Sequence, residues 1–301
     1  MTPPAAPSRA AYAAVPETLD EMSARGARPA PEARPATRRE ATDAAVAEGQ
    51  APDRPTDNTR ILAFGCIHLP YHHPDAMAFL RALRDDVEPT RVVCLGDEVD
   101  WQALSAFVRD PDLASAGHEL REARRAALEL HDLFPIVDVL HSNHAARPRR
   151  AAKGAGLPRG VMACPGDILF GERIEDGRFV RPKGRGLGWR WHHELTLDLR
   201  TGSCVFAHDL GTNLQRIALE EGVSVVQADH HRLAGVEWIT TRLGQRFAAA
   251  SGCLINPRSP AFAYDRAGAK RPMLGALVIY DGVPSFAPML LDKHGRWIGR
   301  L

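Results

Sequence analysis

The sequence has few aromatic residues, 6% in all, almost no net charge, and no long apolar run. A membrane-crossing helix needs roughly 18 or more consecutive apolar residues, so no membrane span is expected. Met1 to Ala10 (MTPPAAPSRA) lacks the basic-then-apolar layout of a secretory signal, and the expected location is the cytoplasm. The five cysteines, Cys66, Cys94, Cys164, Cys204 and Cys253, are odd in number and widely scattered, with no C-x-x-C pair. That spacing argues against a disulfide framework and against a structural zinc knuckle. With 38 Lys+Arg against 37 Asp+Glu, the formal charge is +1. Any case for a nucleic-acid partner must therefore come from a local patch. What remains is 301 residues, 45% of them hydrophobic, enough to bury a large core.

Residues 1–58 differ in texture from the rest. Ala, Pro and Arg supply more than half of them, and sustained apolar periodicity is missing. Such a segment cannot bury enough to offset an ordering cost of about 1–2 kcal/mol per residue. It reads as a flexible arm with at most one short helix around Thr18–Arg25, and its acids balance its arginines. From residue 59 to 301 the pattern becomes short apolar runs ending in polar residues: Ile61–Phe64, Arg91–Leu95, Ile136–Leu140, Cys204–Ala207 and Ser224–Val226. These predict buried strands. Helix-like stretches at Asp75–Arg84 and His118–Leu133 lie between them, which makes the chain α/β. Within it, about residues 145–190 are rich in Gly, Pro and Arg, with eleven basic residues against four acidic. This stretch reads either as a solvated basic loop or as an electropositive insertion beside an anionic substrate.

Ligands of open α/β sheets sit beyond the carboxyl ends of strands. Here those ends carry Cys66-Ile67-His68, then Gly96-Asp97-Glu98-Val99-Asp100, then Ser142-Asn143-His144, then His208-Asp209, then Asp229-His230-His231. A single His at a strand end is ordinarily just a satisfied polar residue. Five successive ends bearing oxygen, nitrogen or sulfur donors are another matter. In the first tripeptide the donors stand two residues apart and project to the same side of an extended chain.

This order resembles the calcineurin-like metallophosphoesterases, whose pattern runs D-x-H, G-D-x-x-D, G-N-H, then H-G and G-H-x-H. The resemblance spans Arg60 to Leu301, and stretches such as GDEVDWQALSAF, SVVQADHHRLAG and LDKHGRWIGRL look most like phage-encoded members, which would place the protein in a host cytoplasm. It implies a four-layer sandwich of two mixed β-sheets flanked by helices. It also implies two divalent metal ions: Cys66, His68, Asp97 and His231 around the first, with Asp97 bridging to a second held by Asn143, His208 and Asp229. Two such ions can clamp a phosphoester and hold a bridging hydroxide for in-line attack on a phosphodiester or nucleotide. His144 would act at the leaving group, with Asp100 orienting its other ring nitrogen. Arg147 would meet a phosphate oxygen, a task that suits a planar guanidinium. His72, His73, His192 and His193 carry no motif role and read as surface or loop residues.

Two positions depart from the family pattern. Cys66 stands where Asp is expected, and Asp229 stands where the first His of G-H-x-H is expected, with Ala228 for its Gly. Trp101 occupies the place of a phosphate-binding Arg of the family's protein phosphatases, which argues against a phosphoprotein substrate; Ser142 and Asp209 replace glycines. Neither ligand change removes a donor atom. A thiolate suits Zn or Fe at the Cys66 site, and a carboxylate suits Mn, Mg or Zn at the Asp229 site. Thiolate, Asp97 and Asp229 make three anionic ligands in place of two, so a slower enzyme is expected. The alternative is that Cys66 is a buried apolar filler. The protein would then be an impaired member kept as a binding or structural, even virion, component. Nucleic-acid docking on the basic segment is compatible with both readings. Substrate and oligomeric state are not written in the sequence.

Overall fold

The computed structural model describes residues 58–301 apart from 107–111, 159, 161, 174–178, 243 and 263–270. The 1–58 arm and the short helix expected at Thr18–Arg25 therefore fall outside the described residues, Asn58 excepted. In chain order the strands are β1 (Arg60–Phe64), β2 (Arg91–Cys94), β3 (Val137–Leu140), the short pair β4 (Glu172–Arg173) and β5 (Phe179–Val180), then β6 (Trp189–His192), β7 (Leu195–Leu199), β8 (Gly202–Phe206), β9 (Ser224–Gln227), β10 (Ala234–Thr241), β11 (Gly244–Ser251), β12 (Gly275–Tyr280) and β13 (Val283–Pro288). The helices are α1 (Ala76–Val87), α2 (Ala116–Leu133), α3 (Arg147–Gly154), α4 (Pro165–Phe170) and α5 (Leu214–Glu221).

The strands form two mixed sheets. One has the order β13-β12-β1-β2-β3-β6, the other β10-β11-β9-β8-β7. In the first, β1, β2, β3 and β6 run parallel, while β12 and β13 join antiparallel. In the second, β8, β9 and β11 run parallel between antiparallel edges. Strand alternation assigns each face. Phe206, Val226, Phe247 and Ala249 join Phe64, Val93 and Val139 in one core shared by both sheets. Their neighbours Val225, Ala248 and Ala250 turn the other way, onto Leu214 and Ala218 of α5. Helices α1 and α2 cover the first sheet. The result is the expected four-layer sandwich, helices outside and two sheets within.

Local sequence explains the helices. In α1, Ala76, Met77, Phe79, Leu80, Leu83 and Val87 recur at helical spacing and are buried, and Glu88 ends the helix in a left-handed conformation at φ 44°. Helix α2 begins at Ser115, whose hydroxyl accepts from His118 N. The 145–190 stretch holds α3, α4 and the β4–β5 pair, and its last residues enter the first sheet as edge strand β6. Two of the histidines expected at the surface or in loops are tied into the structure, His73 from within a loop and His192 from a strand. His73 is buried, with its ring bonded to Gly295 O at 3.1 Å and accepting from Asp75 N. His192 bonds the buried Asp138 at 2.8 Å, beside Arg91 at 2.9 Å, and so ties β6 to β3. Among the described residues, no helix is long and apolar enough to cross a membrane.

Candidate active site

The carboxyl ends of β1, β2 and β3 in one sheet and of β8 and β9 in the other meet on one side of the sandwich. Backbone bonds continue the β1–β2 ladder past the strands: Cys66 N to Gly96 O at 3.0 Å, His68 N to Asp97 O at 2.8 Å and Leu69 N to Glu98 O at 3.0 Å. The turns are tight. Cys66, His68, Asp97, Trp101 and Asp229 all sit at left-handed φ between 49° and 56°, a conformation that costs a non-glycine residue about 1–3 kcal/mol and concentrates at functional sites. At Gly96 (φ 94°) an added Cβ would fall 2.8 Å from His208 Nδ1 and 2.9 Å from Leu140 O. Glycine there lets the β2 loop press against the β3 and β8 ends.

The side chains converge. Asp97, 2% exposed, has Oδ2 3.3 Å from His68 Nε2, 3.4 Å from His208 Nε2 and 3.9 Å from His144 Nε2. His231 Nε2 lies 3.1 Å from His68 Nε2, and Asp229 Oδ1 lies 3.3 Å from His208 Nε2. Asn143, at the rim, donates Nδ2 to Asp229 Oδ1 at 3.4 Å. The Cys66 sulfur lies within 4.8 Å of ring nitrogens of His68 and His231, and likewise of Asp97 and His208 donors. The residue packs in the apolar core while its sulfur joins the donor cluster. All seven expected ligands thus gather in one place.

The hydrogen bonds fix which atoms are free. His208 Nδ1 donates to Leu95 O at 2.7 Å, so Nε2 turns to the two carboxylates, buried and without a hydrogen-bond partner. His68 Nδ1 donates to Asp100 Oδ1 at 2.7 Å and leaves Nε2 toward Asp97 and His231. Asp100 does more than orient His144: its carboxylate holds His68 first and His144 Nδ1 at 3.1 Å, while its backbone carbonyl takes His144 Nδ1 at 2.6 Å. Arg147 donates to that carbonyl at 2.9 Å and to His144 Nε2 at 3.0 Å.

The electrostatics are those of a pocket awaiting positive charge. Burial pushes the Asp97 carboxyl up, but His208, His68 and His144 together hold it well below the ordinary value. Burial would lower His208, yet Asp97 and Asp229 raise it well above its usual range. Burial brings His68 down to about 4 against the pull of Asp97, leaving a neutral ring. Burial, then Asp97, raise the Cys66 thiol well up. For His144, burial lowers the ring but Asp97 and Asp100 win, and its pKa is raised.

The residues form clusters that could hold a metal ion. The unpartnered buried nitrogen of His208 faces two carboxylates, and His68 and His231 turn ring nitrogens to one point beside a sulfur. Ring nitrogens whose partner atom is already bonded are the usual metal donors. Three residues outside the motif reading also matter. Glu98 is a buried acid in the β2 loop. Glu119, buried on α2, accepts from Gln102 N at 2.6 Å and Ala103 N at 2.8 Å, pinning the turn after Asp100 and Trp101. Arg150 donates to Asn143 O at 2.6 Å. The only sequence trace of Glu119 is an acid in the first turn of a helix.

No protein-family model matches the chain, and no curated protein matches it. Solved structures do. Vps29 of Chaetomium thermophilum is 11% identical over 80% of this chain and 93% of its own, with a TM-score of 0.41. A novel archaeal phosphodiesterase is 10% identical over 76% of this chain and 100% of its own, at 0.38. A hypothetical protein of Pyrococcus horikoshii OT3 is 11% identical over 78% of this chain and 90% of its own, at 0.39. Likenesses this distant carry no functional weight.

Proposed function

We propose that the chain is a metal-dependent phosphoesterase that hydrolyses a phosphodiester or nucleotide at a dinuclear centre. The observation that carries this reading is the convergence of donors from five strand ends around His208 Nε2, a buried nitrogen with two carboxylates before it and no hydrogen-bond partner. Cys66, His68, Asp97 and His231 would hold one divalent cation, Zn or Fe; Asp97, Asn143, His208 and Asp229 would hold the other, Mn, Mg or Zn. Such cations would supply Lewis acidity toward the phosphate and lower the pKa of a solvent molecule.

The chain's own groups do the rest. The His144 ring gives Nδ1–H to the Asp100 carbonyl and accepts from Arg147 at Nε2; Asp97 and Asp100 raise its pKa against burial, so Nε2 can take up a proton once Arg147 leaves it. A charged ring can donate from Nε2 to the departing oxygen. Arg147 moves its guanidinium from Nε2 to a phosphate oxygen as substrate enters. The segment 145–190 supplies long-range attraction for a polyanion, including nucleic acid.

An aryl phosphodiester with added Mn or Zn should be turned over, and Asp97→Ala and His144→Ala should each abolish it. Silence of the unmodified protein with every divalent metal would refute the enzyme reading. One observation favours a second reading, a catalytically impaired binding or virion component: Arg147 Nη2 already occupies His144 Nε2. On that reading Cys66→Asp with Asp229→His creates activity that the parent lacks.

A further inference from the structure

The first sheet carries a second feature at the same end. His141 follows β3 and His193 follows β6. Leu140 stands opposite His192 in the parallel ladder and His141 N donates to His192 O at 2.8 Å, so the two residues leave the sheet side by side. Their rings lie 4.7 Å apart at 34°. Both line a cleft of about 580 Å³, together with Arg149 of α3 and the apolar Met162, Ala163 and Pro165. Ser142 and Ala145 line it too, and the two residues between them, Asn143 and His144, belong to the centre. The neighbouring arginines of α3 are engaged, Arg147 on His144 and the Asp100 carbonyl, Arg150 on Asn143 O. Arg149 is exposed, and among the described residues no carboxylate pairs with it or lines the cleft. Its charge reaches the His141 ring, which burial first, then His193 and Arg149, make less basic.

We propose that this cleft is a second-phosphate subsite, in which Arg149 holds a phosphate next along the chain from the scissile one, and that the substrate is a single-stranded oligonucleotide. It rests on the phosphoesterase reading and names the class of its substrate. A guanidinium is permanently charged, and one without a counter-ion in a concavity free of carboxylates draws an anion. The space exceeds what a phosphate alone would fill and is of the order that small-molecule sites occupy, about 300–1,000 Å³. Beyond Arg149 it offers two imidazole rings and apolar side chains, which suit a sugar and a base, since bases stack on aromatic faces whatever their sequence. A duplex keeps its bases stacked on one another and has no such face to give. A bare phosphate chain uses the charge and leaves the rings idle. Position supports the same reading. Only the turn at Asn143 and His144 separates Ser142 from Ala145, so a strand laid across the centre runs directly into the cleft. His193, without a motif role in the sequence, thereby gains one.

The test is fluorescence-anisotropy titration of the full-length chain with a labelled oligothymidylate in EDTA, which prevents hydrolysis. Arg149→Ala should weaken binding about tenfold, as loss of a hydrogen bond to a charged group does. It should also lower the slope of log K against log salt by about 0.7, the share of one phosphate contact on a single strand. His193→Ala should weaken binding about fivefold or more at unchanged slope, as loss of stacking does. Arg185→Ala removes a cation of the same basic segment that does not line the cleft, and should leave the affinity close to the parent's. An unchanged slope in Arg149→Ala, no loss in His193→Ala, an equal loss in Arg185→Ala, or no binding by the parent would overturn the subsite. So would displacement of the label by tripolyphosphate as readily as by unlabelled oligothymidylate at equal phosphate concentration, which would make the ligand a bare phosphate chain. Hydrolysis of bis(p-nitrophenyl) phosphate by the parent with Mn separates the failures. Turnover with no Arg149 effect removes the subsite alone; an Arg149 effect without turnover removes the enzyme reading and leaves a cleft that docks a strand.

Discussion

Cys66→Ala separates a sulfur that fills the core from one that binds a cation. The side chain is fully buried, so removing one sulfur costs about 1 kcal/mol of transfer energy, as for a methylene, plus whatever cavity fails to collapse. The left-handed backbone at φ 49° strains Cys and Ala alike and cancels. That is the whole effect if the sulfur is filler, and zinc leaves it unchanged. If the sulfur is a ligand, zinc at 100 times its dissociation constant stabilises the parent by about 2.7 kcal/mol. Losing even an outer partner of a metal ligand weakens binding by about 10–100-fold; a loss of about 100-fold for a direct ligand leaves the variant only ~0.4 kcal/mol of zinc stabilisation at the same concentration. The parent–variant difference should therefore grow from about 1 to about 3 kcal/mol on adding zinc. Urea unfolding of both proteins, with and without zinc, reads this directly provided the denaturant slope is constant. Equal zinc increments in parent and variant would refute the ligand role.

Gly96→Ala places a Cβ against His208 Nδ1, Leu140 O and Ser142 Cβ at a φ of 94°; strain and overpacking should cost about 2–4 kcal/mol in urea unfolding, and a cost under ~0.5 kcal/mol would contradict the packing described. Glu119→Ala strips the acceptor from Gln102 N and Ala103 N; it should cost about 2–4 kcal/mol and also lower kcat by loosening the Asp100 carbonyl that holds His144, with loss of stability at unchanged kcat showing a merely structural role. Asp75 accepts from Arg296 at the C-terminal end, and that bond is the chief reason its pKa falls from 3.8 to about 2. A depressed carboxylate stabilises the fold above its unfolded pKa and loses that contribution as pH falls through the folded one. Asp75→Asn should accordingly flatten the decline in urea midpoint between about pH 4 and pH 2, and an unaltered acid limb would refute the assignment.

What the sequence discloses follows from how each element is stabilised. Strands β1, β2, β3, β8 and β9 are buried on both faces, so they stand out as short apolar runs to within a residue or two. Strand β11 (GQRFAAAS) is rich in alanine, a poor strand former, and owes its state to pairing with β10 and β9. Strand β13 (VPSFAP) carries two prolines, which an edge strand tolerates and a sequence reading takes for a break. Strand β12 (GALVIY) is as apolar as any, but no donor follows it, and a reading guided by the site passes over it. Within the site, donor identity and order are legible because the polar donors directly follow apolar runs at five strand ends. The left-handed turns at Cys66, His68, Asp97 and Asp229 are not, because no glycine marks them. Nor is the pairing of Asp100 with His68, which depends on the distance between two loops 32 residues apart.

Cys66 and Asp229 bear on the charge that the site presents. Asp97 and Asp229 are both held below the ordinary carboxylate range, the first chiefly by histidines working against burial and the second by His208, while the Cys66 thiol is raised by burial and by Asp97. A divalent cation reaching the sulfur must displace its proton, so the third anionic ligand appears only with the cation that neutralises it. On the phosphoesterase reading, a centre holding two divalent cations would retain one positive charge fewer to pull on a phosphate than one with two anionic ligands. The chain offers replacement charge nearby. Arg147 reaches His144 from the first turn of α3, Arg150 braces Asn143 from the second, and Lys153 follows in the last turn. These cations cannot acidify a solvent molecule as a metal does, but they can raise the local concentration of a polyanion. On the phosphoesterase reading, weak intrinsic pull with strong local capture would suit a substrate that brings several phosphates rather than one.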